Sequence, residues 1–82
     1  MKVKLYVDSS DPYCGMVEGI MKSNNINYKR IEVSRNENRM KELKGISGQS
    51  SVPVLVVDGK VYVGFDHELI RKVFNLKNKT EV

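Results

Sequence analysis

Apolar and polar residues alternate at the start of the chain, with Val3, Leu5 and Val7 set against Lys2, Lys4 and Tyr6. A period of two is the pattern of a strand with one buried face, so Lys2 to Val7 reads as a first strand, broken by the polar Asp8 to Ser10. From Pro12 the spacing changes. Met16, Val17, Ile20 and Met21 recur at helical intervals and predict a helix with one buried stripe, stopped by the Asn24-Asn25 pair. Tyr28 to Val33 reads as a second strand, and a helix between two strands makes a parallel βαβ connection the natural one. Asn36 to Lys44, with Met40 and Leu43 inward, reads as a short polar helix ended by Gly45.

The strongest local signal is Val52-Pro53-Val54-Leu55-Val56-Val57, then Asp58-Gly59, then Lys60-Val61-Tyr62-Val63. Asp-Gly suits a two-residue type I′ turn, so these residues predict an antiparallel hairpin. Pro53 has no N–H to give a sheet and belongs at the start of its strand, where its peptide bond is expected to be cis. Gly64 ends the hairpin. Asp66 then caps a last helix in which Leu69, Ile70, Val73 and Phe74 face inward, before a polar stretch from Asn75. The predicted order is βαβαββα, an α/β domain with a four-stranded mixed sheet and three helices over 1–76, followed by a polar C-terminal tail over 77–82.

Eighty-two residues leave room for one small core and no second domain. The 14 Lys+Arg against 10 Asp+Glu give a net charge of +4, but the bases are scattered or gathered near Arg71, Lys72, Lys77 and Lys79. They read as a solvated face, so neither a nucleic-acid nor a membrane partner is expected, and a monomer is. With a single cysteine no intrachain disulfide forms, and with no apolar leader before the first strand a reducing cytoplasm is the expected compartment. The methionines are explained by core packing and imply no metal.

The candidate chemistry lies at Asp11-Pro12-Tyr13-Cys14. Proline is favoured at the first helical position, which makes Asp11 the N-cap and puts Cys14 in the first turn. The positive end of the helix favours a thiolate there, and the Asp11 carboxylate opposes it. A helix start beside an unimportant cysteine explains the same residues, and on this stretch alone both readings stay open.

Taken together, Asp11-Pro12-Tyr13-Cys14, Ser51-Val52-Pro53 and Gly64-Phe65-Asp66, in this order of elements, resemble a glutaredoxin or glutaredoxin-like redoxin of thioredoxin fold. The resemblance extends to about Phe74. In the family the first motif reads Cys-Pro-Tyr-Cys, the second usually Thr-Val-Pro with a cis proline, and the third Gly-Gly or Gly-Phe before an Asp-containing segment. Aligned on the apolar stripe, Cys14 takes the place of the second, resolving cysteine and Asp11 that of the nucleophile. The other register, with Cys14-Gly15-Met16-Val17 mimicking the Cys-Gly-Phe-Ser of monothiol members, displaces every helix-face residue by three and is rejected.

The resemblance implies a thiol–disulfide oxidoreductase with one retained thiol, Cys14, its activity impaired by Asp11. Because Asp cannot attack a disulfide, the dithiol cycle is excluded and a monothiol cycle through Cys14 would take its place. No tightly bound cofactor is implied, since the iron–sulfur ligation of monothiol members lacks its ligand, and glutathione is the implied co-substrate. Tyr13 would flank the tripeptide beside Pro12. Val52, between Ser51 and Pro53, would pair with its cysteinyl backbone, Gln49 would reach its glycine carboxylate, and Gly64, Phe65 and Asp66 would hold its γ-glutamyl end. Asp8 and Ser50 stand where many members carry a lysine and an arginine, so the implied binding is weak. Protein thiols and a thioredoxin reductase-like reductant are further implied partners. Pro53 as a strand start, Asp66 as a helix cap and Tyr13 as a surface aromatic are the structural alternatives, and His67 reads as a helix-surface residue. The competing class is a redox-silent module whose groove takes glutathione or an extended peptide without chemistry.

Overall fold

The computed structural model describes residues 1–76; the tail assigned to 77–82 lies outside the described residues. Seven elements follow in the order β1 (Val3–Val7), α1 (Pro12–Ser23), β2 (Lys29–Glu32), α2 (Glu37–Ser47), β3 (Val54–Val57), β4 (Lys60–Tyr62) and α3 (His67–Val73). The four strands form one sheet in the order β2-β1-β3-β4. β1 runs parallel to β2, with Tyr6 opposite Ile31, and antiparallel to β3, with Leu5 opposite Leu55. β3 and β4 are antiparallel, with Val56 opposite Val61. This is the expected thioredoxin-type α/β architecture.

The turn between β3 and β4 follows from its residues. Asp58 and Gly59 both take positive φ, 48° and 87°, as a type I′ turn requires. Asp58 is also tied to the start of β1: its Oδ1 accepts the Lys2 N–H at 2.7 Å, and its own N–H reaches the Lys2 carbonyl at 2.8 Å. The Val52–Pro53 peptide is cis, and Pro53 stands just ahead of β3, where no ladder bond is asked of it.

Both faces of the sheet are covered. On one, Val3, Leu5, Val7, Leu55 and Val57 pack with Cys14, Val17 and Met21 of α1 and with Phe65 and Ile70; on the other, Tyr6, Ile31, Val33 and Val54 pack with Leu43 of α2. Three sequence expectations change here. Tyr6, read as a polar-side residue, is buried, because α2 covers the second face and Glu42 accepts a bond from its hydroxyl. Met16, placed in the stripe of α1, is 53% exposed. It lies roughly 200° around the helix from Cys14, and Cys14, Val17 and Met21 form the inward row instead. Finally, α2 continues through Gly45 and ends at Gly48, which takes the left-handed φ of 74° and donates its N–H to the Lys44 carbonyl at 2.9 Å. A glycine inside a helix costs only about 1 kcal/mol relative to alanine, so the first glycine does not stop the helix; the one in the left-handed cap conformation does.

Candidate functional site

The topology collects three segments at one end of the sheet. β1 finishes there and leads into residues 8–11, β3 begins there after residues 48–53, and β4, running back against β3, ends there at Tyr62. The helices α1 and α3 both start from this end.

The first segment is held by hydrogen bonds. The Asp11 N–H meets the Asp8 carbonyl at 3.0 Å, and the Asp8 Oδ1 accepts both the N–H and the hydroxyl of Ser10. Glu32 of β2 anchors the loop from below, accepting the Ser9 N–H at 2.9 Å and the hydroxyls of Ser9 and Ser34, and pairing with Arg30 at 3.0 Å. These donors hold its carboxyl well under the ordinary value of 4.5, at about 2. Asp11 caps α1, its Oδ1 accepting the Tyr13 N–H at 2.8 Å, and Pro12 occupies the first helical position. The Tyr13 hydroxyl then crosses to the third segment and donates to the Phe65 carbonyl at 2.8 Å. Asp66, next in the chain, caps α3 through its Oδ1 and the Leu69 N–H at 3.0 Å. His67 is exposed at the start of α3.

Between these segments lies a groove of about 310 Å³, lined by Tyr13, Gln49, Ser51, Val52, Pro53, Val63, Gly64 and Phe65. The structure therefore brings together seven of the residues singled out from sequence. It places Asp11, Pro12 and Asp66 beside the groove rather than in its lining, each at a helix start. Val63, 42% exposed, is the lining residue that the sequence reading passed over; its signal was an apolar side chain at the open end of the hairpin.

The residues 3–62 match the family model for glutaredoxin. The chain belongs to the glutaredoxin family. It is similar to a glutaredoxin-like 8.6 kDa protein of the rubredoxin operon of Clostridium pasteurianum, 32% identical over 71 residues that cover 87% of this chain and 95% of that protein. Among solved structures it is similar to a mutant of the thioredoxin-like protein BC3987, with a TM-score of 0.84, 28% identity and coverage of 93% of this chain and 97% of that one. It shares its fold with the glutaredoxin-like NrdH-redoxin of Escherichia coli, with a TM-score of 0.76, 19% identity and coverage of 89% and 95%.

For a glutaredoxin-family chain the position of Cys14 is decisive. It is 1% exposed and belongs to the core beneath the groove, not to the groove lining. Burial is the main cause that raises its thiol above the ordinary 9.0; a backbone hydrogen bond at Asp8 opposes this, and the carboxylates of Asp11, Asp8 and Glu18 add to it. The contest read from sequence, helix end against Asp11, is thus subordinate to desolvation. The thiolate is the form a nucleophilic sulfur needs and the form that burial disfavours.

Among the described residues no three His, Cys, Asp or Glu side chains converge as metal ligands, and no helix is long and apolar enough to cross a membrane.

Proposed function

We propose that this glutaredoxin-family chain is a binding module, which receives an extended thiol peptide, glutathione or a cysteine-bearing protein segment, in the Tyr13–Val52–Gly64 groove without disulfide exchange. The observation that carries this reading is the burial of the sole thiol, Cys14, at 1% exposure; the motif alignment, which sets Asp11 at the nucleophile's place, supports it. An attacking sulfur must be exposed and ionised, and Cys14 is neither. The groove meanwhile keeps what binding needs. Val52, in the bend just ahead of β3, offers backbone polar groups to an extended ligand, Tyr13 and Phe65 supply apolar walls, and Gln49 supplies an uncharged polar end.

A second reading, monothiol exchange, is favoured by the place of Cys14 in the first turn of α1, one residue from the groove-lining Tyr13. There the Cys14 thiolate would attack a glutathione mixed disulfide, release the protein thiol and keep the glutathionyl sulfur. A second glutathione would then free Cys14 and leave as glutathione disulfide. This cycle requires the first turn to open. A reducing cytoplasm suits either reading, and the binding reading needs no reductase.

The test joins two measurements on the whole chain. S-methylglutathione, which cannot exchange, is titrated against the protein while backbone amide shifts are followed, and Cys14 alkylation by iodoacetamide is timed in native buffer and in denaturant. The binding reading expects shifts at Tyr13, Val52 and Gly64, and alkylation that is slow until the chain unfolds. Groove shifts that stay unchanged with S-methylglutathione at millimolar concentration and with an extended peptide alike would remove the binding reading, and native alkylation as fast as in denaturant would favour the monothiol cycle.

A further inference from the structure

The groove differs in one respect from a site built for a tripeptide with two carboxylates: none of its eight lining residues carries a charge. Glutathione brings a net negative charge at neutral pH, and an anion transferred to such a surface loses hydration without gaining a cationic partner. The charges that border the lining are of the same sign as the ligand. Asp11 is hydrogen-bonded to the N–H of Tyr13, Asp8 holds the turn just before it, and Asp66 follows Phe65, whose carbonyl receives the Tyr13 hydroxyl. Each of these carboxylates accepts from backbone or hydroxyl donors of its own segment, and among the described residues none has a cation paired with it. The four ion pairs of the described residues lie elsewhere, at Arg30 with Glu18 and Glu32, Arg39 with Glu42, and Arg71 with Glu68. A chain of net positive charge therefore presents a neutral groove with an acidic border.

We propose that the occupant of this groove is an extended protein segment with an apolar centre flanked by lysine or arginine, and that the groove discriminates against glutathione. The inference rests on the binding reading above and specifies its ligand class. The apolar centre packs on Val52, Pro53, Val63 and Phe65, which accounts for leaving Val63 uncovered. The flanking bases meet Asp11 and Asp66, each of which accepts one backbone N–H through Oδ1 and keeps a second carboxylate oxygen. Such a ligand brings a base to each border carboxylate, whereas glutathione brings one ammonium group and two carboxylates to the same border.

Three probes decide the question on the whole chain at fixed, low ionic strength: a capped heptapeptide with a Val-Leu-Val centre and two lysines at each end, the same peptide with glutamates for the lysines, and S-methylglutathione. Affinities are measured by calorimetry, and the site is confirmed from amide shifts at Tyr13, Val52 and Val63. The lysine peptide is expected to bind about tenfold more tightly than the glutamate peptide, and the gap to close as salt screens the border. In the D11N/D66N double variant, whose asparagines cap helices as well as aspartate does, the preference shrinks while the fold is retained. Tighter binding of S-methylglutathione than of the lysine peptide would overturn this inference and leave the binding reading standing. Equal affinity for the two peptides would overturn it also, and groove shifts with none of the three probes would remove the binding reading together with it.

Discussion

Tyr13 and Cys14 are adjacent in the first turn of α1, yet they serve two different regions. Tyr13 is 37% exposed, walls the groove and bridges to Phe65; Cys14 is 1% exposed and packs with Leu5, Val7, Val17 and Ile70 in the core below. One helical step of roughly 100° separates recognition surface from interior. The difference shows that neighbouring residues of one helical turn can belong to different regions of the molecule. The cysteine of this turn contributes packing and the tyrosine contributes contact, while Asp11, which caps the helix, supplies no sulfur.

The comparison is broken most severely by placing a polar group on its buried side. Cys14→Ser trades an apolar thiol for a hydroxyl in the core, and the desolvation of that polar group, against which only the backbone bond at Asp8 stands, costs roughly 1–3 kcal/mol. Chemical denaturation should show this loss, with peptide affinity in the groove unchanged once the folded fraction is accounted for. A fall in affinity without a fall in stability would place Cys14 in the site after all. On the exposed side, Tyr13→Phe removes the hydrogen bond to the Phe65 carbonyl, worth about 0.5–1.5 kcal/mol, and lets the groove wall move. Here affinity should fall along with a small loss of stability.

A smaller effect sharpens the picture of how the turn is held. The Glu32 carboxyl is depressed from 4.5 to about 2 by the Ser34 and Ser9 hydroxyls, the Ser9 N–H and Arg30. Its folded value lies below its unfolded one, so its contribution is fully present above the ordinary carboxylate range. It is lost as pH falls from about 4.5 toward about 2. Glu32→Gln should flatten the stability profile in that window. A profile for Glu32→Gln that runs parallel to the parent's would show that the anchor does not hold the loop. Smallest of all, Asp11→Asn keeps an equivalent cap, and its melting temperature should stay within the shift of a few tenths of a kcal/mol that separates good caps.

Much of the fold was legible because local chemistry and global topology agreed. Asp58-Gly59 demanded its turn, Asp11 and Asp66 demanded their helix starts, and the helix between β1 and β2 demanded parallel pairing. The errors arose where one local signal had two solutions. Gly45 and Gly48 both could end α2, and only the backbone reveals which adopts positive φ. Met16 and Cys14 both could join the stripe of α1, and the phase is set by packing on Leu5 and Val7 rather than by hydrophobicity. Tyr6 could face water until α2 covered it. Six of the groove residues stand in the three motifs that resemble the family's and were legible there, because those motifs are backbone features as much as side chains; Gln49 came only from what the resemblance implied. Val63 carried no motif, and its role depends on the approach of Tyr13 across the groove, which no spacing encodes. The burial of Cys14 was hidden for the same reason: a thiol in a first turn reads as activated until the depth of the turn is known.

The central claim, that this site binds without exchanging disulfides, is tested most directly by turnover. Reduction of a glutathione mixed disulfide, with glutathione as the reductant, is measured for the parent chain and for Asp11→Cys, which puts a half-buried sulfur at the helix start and removes a carboxylate from beside Cys14. The account predicts no turnover above the uncatalysed rate for the parent and clear turnover for Asp11→Cys. Equal turnover in the two proteins would show that Cys14 alone suffices, and would contradict it.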